Sequence, residues 1–248
     1  RERYFWDLTG YLVVKGVLNV KGSKDAPVVV TGPSTGKAWS GIVVSGTMTA
    51  TWLEVSQAVI NVQSQAGATL TLDHCHMHHA EQYNLLSRGA STLTRMLIEQ
   101  PRKGANATFN LGIKGGEVVL MDSVLRETPN ECVLSEDNAT LTAHYNQFDT
   151  GHCGVHFNTT KSAELLNNQF KGNLYGLMIF GVGQAEIHGN NFTASSTLEI
   201  LANNAQKTSV DATGNYWGDK KKFALAGAKI DTGGALSAPA TDVGPRPE

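Results

Sequence analysis

A repeat of about 22 residues is the feature that most restricts what this chain can fold into. Four segments share the pattern apolar-x-apolar-x-x-Asn-x-aromatic: LTAHYNQF (141–148), AELLNNQF (163–170), AEIHGNNF (185–192) and VDATGNYW (210–217). We call the last residue of each segment its anchor. The same register continues upstream with weaker identity, through the anchors Leu125, Ile98, Met77 and Val55. Successive anchors are 22, 21, 27, 23, 22, 22 and 25 residues apart, which is too regular to be accidental.

A period of this length is typical of leucine-rich repeats and of β-solenoids. The leucine-rich pattern L-x-x-L-x-L-x-x-N is absent, and so is the 3.6-residue periodicity of helices. Short alternating segments such as VHF (155–157) and LMI (177–179), separated by Gly, Asn and Thr, instead predict several strands per repeat. One coil cannot bury its apolar face alone, whereas stacked coils share a continuous core. The sequence therefore predicts an all-β, single-domain parallel β-helix, or β-solenoid, of about eight or nine coils.

The repeat also resembles a known group. The I-x-x-N-x-F pattern followed by a Gly-hydrophobic strand, with the closing GNYWG (214–218), is similar to the right-handed parallel β-helix repeat of the pectin-lyase-like superfamily. The opening YLVVKGVLNVKGSKDAPVVVTGP (11–33) and WSGIVV (39–44) resemble the first coils of many secreted bacterial members. This likeness implies a right-handed solenoid and a secreted, periplasmic or cell-surface location. It leaves the activity open, because the scaffold is shared by lyases, hydrolases, adhesins and binding proteins.

The two ends of the chain lie outside the repeat. Residues 1–10 contain aromatic side chains that we expect to cap the N-terminal end of the core, and residues 11–218 form the predicted β-helix. Residues 219–248 contain no repeat and are rich in Ala, Gly and Pro, which predicts a C-terminal cap followed by a tail.

Composition excludes several classes of protein. An apolar content of 41% with 17% charged residues is typical of a globular domain. The net charge of -2 lacks the basic excess of a nucleic-acid-binding protein, so no nucleic-acid partner is expected. No apolar run approaches the length of a membrane-spanning helix, so no membrane span is expected. The three cysteines are an odd number without framework spacing and give little support to a disulfide framework.

Alternation along a strand assigns each side chain to the inside or the outside. If the anchors face inward, the residues directly before and after them face outward. The Asn two positions before an anchor then lies at a turn, where identical amides on neighbouring coils can hydrogen-bond into a ladder. The predicted ladder residues are Asn146, Asn168, Asn190 and Asn215.

The same register divides the histidine-rich stretch LDHCHMHH (72–79) between the core and the surface. Met77 is an anchor, and Cys75 occupies the ladder position of an early coil, so both are predicted to be buried. His76 and His78 are predicted to lie side by side on the outside, with Asp73 also exposed. The stretch therefore does not form one compact cluster of ligands.

Two outward columns flank the anchors and together form what we call the polar stripe. The column after the anchors contains Ser56, His78, Glu99, Arg126, Asp149, Lys171 and Thr193, and the column before them contains Glu54, His76, Leu97, Val124, Gln147, Gln169, Asn191 and Tyr216. From Glu99 to Lys171 the charges alternate in sign, which indicates ion pairs between stacked strands, each contributing about 0.2–1 kcal/mol. A substrate groove along the helix axis is the alternative interpretation of the stripe.

We predict that the protein binds a polysaccharide or another cell-surface partner along this stripe, because a long regular face suits an extended polymer. The candidate ligand-binding residues are Gln147, Gln169 and Asn191, whose amides suit sugar hydroxyls, and Asp149 and Lys171, which suit charged groups. The oligomeric state is left open by the sequence.

Cleavage of a polysaccharide, by a lyase or a glycoside hydrolase, is the alternative function, and the sequence leaves open whether the protein is an enzyme. For a lyase, the resemblance implies a basic residue that removes a proton next to a uronate carboxylate, with calcium bound by acidic residues. Arg126 or Lys171 is then the candidate base, and Glu99 and Asp149 are the candidate calcium ligands. A hydrolase would need carboxylates roughly 5–10 Å apart. Glu99 and Asp149 lie two coils apart, but Arg126 lies between them.

Metal handling in the periplasm is the second alternative. His76 and His78 could bind one ion from positions i and i+2 of a strand, with Asp73 or Glu99 as a further ligand. The resemblance adds copper as a candidate, because some periplasmic members of this repeat class take part in the maturation of copper enzymes. No cofactor is predicted, and calcium and copper remain the alternatives.

Overall fold

A computed structural model describes residues 3–4, 10–102, 104–105, 108–218 and 222–247, and they form an all-β parallel solenoid of about nine coils. A typical coil contributes one strand to each of three parallel sheets, here named A, B and C. The described residues contain no helix. The predicted fold class is therefore confirmed. Of the predicted N-terminal cap, residues 1–2 and 5–9 lie outside the described residues.

The strands are numbered in chain order, and the chain passes through sheets B, C and A in turn in each coil. Sheet A contains β1 (Arg3–Tyr4), β4 (Val28–Thr31), β7 (Leu53–Ser56), β10 (His76–His78), β13 (Leu97–Glu99), β16 (Val124–Arg126), β19 (Gln147–Asp149), β22 (Gln169–Lys171) and β25 (Asn191–Thr193). Sheet B contains β2 (Tyr11–Val14), β5 (Gly41–Val44), β8 (Ile60–Ser64), β11 (Tyr83–Ser87), β14 (Phe109–Lys114), β17 (Glu131–Glu136), β20 (Cys153–Asn158), β23 (Tyr175–Ile179), β26 (Leu198–Ala202) and β28 (Phe223–Ala224). Sheet C contains β3 (Val17–Lys21), β6 (Thr47–Thr51), β9 (Thr69–Asp73), β12 (Ala90–Thr94), β15 (Glu117–Met121), β18 (Thr140–His144), β21 (Thr160–Leu166), β24 (Val182–His188), β27 (Val210–Asp211) and β29 (Ile230–Asp231).

The anchors stack in the interior as predicted. In sheet A, Met77 is paired with Val55 on one side and with Ile98 on the other, and all three side chains are buried. In the later coils the anchors are aromatic, and successive ring centroids are 5.0, 4.4 and 4.5 Å apart. The residues of this stack are Phe148, Phe170, Phe192 and Trp217. Contacts between neighbouring aromatic rings add to the free energy gained by burying them.

The predicted asparagine ladder is confirmed. Asn146 Nδ2 donates to Asn168 Oδ1 at 3.0 Å, and the same contact joins Asn168 to Asn190 and Asn190 to Asn215, both at 2.9 Å. Each accepting oxygen also takes the backbone N–H of the ladder residue in the preceding coil. The ladder thus satisfies buried donors at the turn, which would otherwise destabilise the fold. Cys75, at the equivalent upstream position, is buried as predicted.

A second asparagine ladder, which the anchor register did not predict, lies where the strands of sheet B begin. Asn61 donates to Asn84, and Asn84 to Asn110, both at 3.0 Å. These amides also donate to carbonyl oxygens at the ends of the sheet A strands. Its sequence signal was an apolar-Asn-apolar triplet in three successive coils, INV (60–62), YNL (83–85) and FNL (109–111).

The corner between sheets C and A has a left-handed backbone in successive coils. The residues at this corner, with φ between 50° and 68°, are Trp52, His74, Arg95, Asp122, Tyr145, Asn167, Gly189 and Gly214. Asn, Asp and His tolerate this conformation better than most residues, and glycine accepts it without strain. In the early coils, the large side chains at this corner therefore lie beside the outward column that precedes the anchors. They form one wall of the candidate functional site.

Residues 234–247, which we call the C-terminal tail, return along this corner instead of adding a coil. The Leu236 N–H donates to the Asn215 carbonyl, the Gly244 N–H donates to the Asn167 carbonyl, and Arg246 reaches Asp122. A tail was expected after the cap, but its path over the earlier coils was not.

Two further sequence predictions concern the cysteines and membrane-spanning segments. Cys75, Cys132 and Cys153 are free and buried. In the described ranges, no helix has both the length and the apolar character needed to cross a membrane.

Candidate functional site

The polar stripe has the register that the sequence predicted. Before the anchors, His76 pairs with Leu97, and Val124 pairs with Gln147. After the anchors, Glu99 pairs with Arg126. Both columns thus run along the outer face of sheet A, but their side chains differ in what they contact.

A cleft of about 510 Å³ lies where the column before the anchors meets the corner before sheet A. Leu97 and Val124, the two apolar members of that column, line it together with Glu54 and His76. Its volume lies within the roughly 300–1,000 Å³ usual for ligand sites, and apolar side chains with a few polar groups are the usual lining of such sites.

The corner residues form the aromatic and basic wall of the cleft. The rings of Trp52 and His74 stack with centroids 4.4 Å apart and an angle of 18° between their planes. Arg95, in the next coil, donates to His74 Nδ1 at 3.3 Å and forms an ion pair with Asp73 at 2.7 Å. These contacts set the orientation of the stacked pair at the edge of the cleft.

Lys24, Pro27 and Arg246, which lies at the end of the C-terminal tail, also line the cleft. Arg246 makes a forked ion pair with Asp122, with Nε 2.8 Å from Oδ1 and Nη2 2.7 Å from Oδ2. Its guanidinium also lies 4.1 Å from the centroid of the Tyr145 ring. The hydrogen bonds and positive charge of Arg246 lower the pKa of Asp122. Lys24 is exposed, and no ion pair to it occurs among the described residues.

Beside the cleft, Glu99 joins the two columns of the stripe. Its side chain is only 9% exposed, one oxygen lies 2.6 Å from Arg126 and the other lies 3.1 Å from His76 Nε2. The hydrogen bond that Arg126 donates to Glu99, together with the negative charge of that carboxylate, raises the pKa of Arg126. Because a general base must first lose its proton, this pair disfavours Arg126 as the base of a lyase.

The imidazoles of the histidine-rich stretch form a stacked and bonded group. The rings of His76 and His78 stack with centroids 4.2 Å apart, and His78 Nδ1 is hydrogen-bonded to His79 Nδ1. Burial, together with the positive charges that His76 and His79 can acquire, lowers the pKa of His78 to about 4. His78 therefore remains neutral at neutral pH.

The three candidate metal ligands are not brought onto one ion position. His76 faces Glu99 at 3.1 Å and His78 faces Glu54 at 3.5 Å, whereas Asp73 is paired with Arg95 and His74. Within the described ranges, no group of three or more His, Cys, Asp or Glu side chains is arranged to hold a metal ion. Metal binding by His76, His78 and Asp73 stays a prediction.

The remaining charges of the stripe do not form the full alternating ion-pair series that the sequence predicted. Of the three neighbouring pairs from Glu99 to Lys171, only Glu99–Arg126 forms an ion pair among the described residues. Asp149 instead accepts hydrogen bonds from Gln147 at 3.1 Å and from Thr150 at 2.6 Å. Lys171 is exposed at the end of the series.

The predicted ligand-binding amides lie in the later coils and are largely engaged within the protein. Gln147 donates to Asp149, and Gln169 donates to Thr193 Oγ1 at 2.8 Å. Asn191 is 3% exposed, and both of its amide atoms are hydrogen-bonded to the backbone of Ala240 in the tail. While the tail stays in place, Asn191 is not accessible to a ligand. The open site lies upstream, among residues that the sequence interpretation had not selected, namely Trp52, His74, Arg95, Lys24 and Arg246.

The chain matches no protein-family model, no curated protein and no solved structure. The resemblance to the pectin-lyase-like superfamily therefore rests on the repeat itself.

Proposed function

We propose that this protein binds an extended polysaccharide, anchored in the cleft and continuing along the polar stripe. The observation that carries the proposal is the cleft of about 510 Å³ with the stacked Trp52–His74 pair on its wall. A sugar ring has an apolar C–H face that packs on an aromatic ring, and an edge of hydroxyls that needs polar partners. Apolar Leu97 and Val124 next to Glu54, His76 and Arg95 provide both kinds of contact.

A polymer suits this site better than a single small molecule because the cleft continues into a regular face. Successive strands of sheet A lie about 4.8 Å apart, so the stripe presents polar side chains at even intervals along the solenoid. Gln147, Gln169, Asp149 and Lys171 lie along that path and are proposed as secondary contacts.

We further propose that the solenoid belongs to the pectin-lyase-like superfamily and that the protein is exported. The repeat pattern closing with GNYWG supports membership. The confirmed asparagine ladder agrees with it, because that ladder was derived from the same repeat. Export is supported only by the likeness to secreted bacterial members.

Binding rather than cleavage is proposed because three of the four candidate catalytic groups, Glu99, Arg126 and Asp149, are engaged within the protein, and Lys171 alone is exposed. Arg126 and Glu99 form an ion pair, and both oxygens of Asp149 accept hydrogen bonds. Breaking these contacts to release an acid or a base for catalysis would cost free energy, which a site with an unpaired acid and base does not require.

The proposal is tested by measuring the binding of soluble neutral and acidic polysaccharides to the wild-type protein and to Trp52→Ala. Affinity electrophoresis and calorimetry provide the measurements. We expect Trp52→Ala to weaken binding roughly tenfold or more, because a half-buried aromatic that lines a binding site is a typical hot spot of its affinity. Tyr175→Ala, which removes a half-buried aromatic from the outer face of sheet B, is the matched control and should bind as wild type does.

Two results would contradict the proposal. One is the absence of binding to every polysaccharide in the panel, and the other is an equal loss of affinity in Trp52→Ala and Tyr175→Ala. New reducing ends or unsaturated uronate products in the same samples would instead support the enzymatic alternative.

A further inference from the structure

The C-terminal tail covers the later part of the polar stripe. It is attached at four separated places: Leu236 to the Asn215 carbonyl, Ala240 to the Asn191 amide, Gly244 to the Asn167 carbonyl and Arg246 to Asp122. It therefore runs from the last coils back towards the cleft, and its last contact lies at the edge of the cleft itself.

The attachment of the tail is weak along most of its length. Residues 236–239, 241–242 and 246–247 are exposed, and within 234–247 only Gly244 is buried. No strand lies in this range, and three prolines in it lack the backbone N–H that a ladder needs. Segments with few buried apolar contacts and solvent-exposed hydrogen bonds open locally at low free energy.

The groups beneath the tail are those that a ligand on the stripe would use. Asn191 gives both its donor and its acceptor to the backbone of Ala240. Gly244 lies against Gln169, since a Cβ built on Gly244 would be 3.6 Å from the Cβ of Gln169. The tail thus takes up both amide atoms of Asn191 and packs against Gln169 in the preceding coil, while Arg246 and Asp122 line the cleft.

We propose that residues 234–247 are a detachable strap, latched by the Arg246–Asp122 ion pair, that closes the later part of the stripe until a ligand displaces it. This inference rests on the proposed function, because it concerns regulation of the same face. Docking of the strap and binding of a polymer exclude each other around Asn191 and Gln169. By linkage, whatever weakens the strap strengthens polymer binding in proportion to the rise in the fraction of molecules whose strap is open.

Strap opening is tested first without any ligand, by hydrogen exchange of the Leu236, Ala240 and Gly244 amides. We expect these amides to exchange on the order of 100-fold faster than the ladder amide of Asn168, because the strap opens without unfolding the coils. Ala240→Pro removes the N–H that donates to Asn191 and should speed exchange at Gly244 further. Ala238→Pro is the matched control, because the backbone N–H of Ala238 makes no hydrogen bond within the described ranges. Strap amides as protected as Asn168 would overturn the proposal.

Strap closure is tested by a reversible lock, the double variant Gln169→Cys/Gly244→Cys. The Cβ separation of 3.6 Å lies within the range of disulfides. The native thiols are buried, and burial raises the pKa of Cys75 to about 11, so they do not compete for the new cysteines. Oxidised protein, with the bond verified by mass, should bind polymer at least roughly tenfold more weakly than the same protein after reduction.

The single variant Gln169→Cys should bind equally under both redox conditions and is the control for the lock. Because Gly244 has a left-handed φ of +77°, the disulfide must form against some backbone strain. Ala240→Pro provides a second route and should bind polymer more tightly than Ala238→Pro. Equal affinity of the oxidised and reduced lock, or of the two proline variants, contradicts the proposal. If no polysaccharide binds any form, the proposed function fails, and hydrogen exchange alone decides whether the strap opens.

Discussion

The upstream and downstream halves of sheet A follow one register but differ in how their corners are built. Downstream, from β19 to β25, the anchors are stacked phenylalanines and the corner contains a continuous asparagine ladder. Upstream, from β7 to β16, the anchors are aliphatic, and the ladder positions hold Leu53, Cys75, Met96 and Ser123. The cleft lies in the upstream half, and the tail covers the downstream half.

This difference indicates that the regular half stabilises the fold and that the irregular half contains the site. Where every coil repeats the same residue, as in the asparagine ladder, neighbouring amides satisfy one another and stabilise the turn. Where the repeat is broken, as at Leu97 and Val124, the surface acquires a cleft and an apolar lining. Departures from local rules are expected at functional sites for this reason.

The largest expected effect is on the ladder. Asn168→Ala leaves the backbone N–H of Asn146 without an acceptor, leaves Asn146 Nδ2 with the Leu120 carbonyl alone, and removes the donor to the Ala143 carbonyl. We expect a loss of about 3–5 kcal/mol in the free energy of unfolding, measured by chemical denaturation. Ser123→Ala, at the equivalent upstream position, should cost about 1–2 kcal/mol. Equal losses would contradict the contrast between the two halves.

A smaller effect is expected at the ion pair that joins the two columns upstream. Glu99→Gln breaks a nearly buried contact with Arg126, but the Arg126 side chain is 40% exposed, so the loss should be only about 1–3 kcal/mol. Asp149→Asn, two coils downstream in the same column, should change stability by less than about 0.5 kcal/mol. Denaturation midpoints of the two variants provide the comparison. A larger loss in Asp149→Asn would show that the downstream charges are the coupled ones.

The pH dependence of stability should also distinguish the halves. Burial lowers the pKa of His78 from its ordinary value near 6.5 to about 4. Between these two values, His78 is protonated in the unfolded chain but neutral in the folded chain. Stability is therefore complete above pH 6.5 and falls as the pH drops towards 4, by on the order of 1–2 kcal/mol. His78→Thr, which places there the residue found at position 193, should flatten the profile between pH 7.5 and about 5. An unchanged slope would exclude His78 as the cause.

The smallest expected effect concerns the outer face of sheet C, where the halves differ in charge. Downstream, Glu186 stands in one column between Glu164 and Asp211. Removing this like-charge contact with Glu186→Thr should stabilise the fold by about 0.2–1 kcal/mol, and the gain should vanish at high salt. Glu117→Thr is the control, because its neighbours in the sheet are Ala90 and Thr140. Equal stabilisation by both substitutions would point to strand propensity rather than charge.

The parts of the site that the sequence predicted are those that depend on alternation and period. The stacking of Met77, the burial of Cys75 and the outward placement of His76 beside His78 all follow from counting residues from an anchor. The ion pair between Glu99 and Arg126 follows from the same count, because paired residues on adjacent strands come within contact distance.

The cleft was not predictable in this way. Its wall depends on Trp52, His74 and Arg95, which lie at a left-handed corner where alternation no longer indicates the direction of a side chain. The second asparagine ladder was missed for a related reason, since it belongs to sheet B and the register was counted from sheet A alone.

The sequence by itself determined the coil, the register and the interior of this protein, because a solenoid repeats local geometry and each coil contacts only its neighbours. The tertiary structure alone decided where the surface is open. Arg246 contacts Asp122 across 124 positions of the chain. The tail that ends in this contact covers the downstream half of the stripe, and the contact itself borders the cleft in the upstream half. Such a contact depends on the path of the tail through space, which no periodicity of the sequence describes.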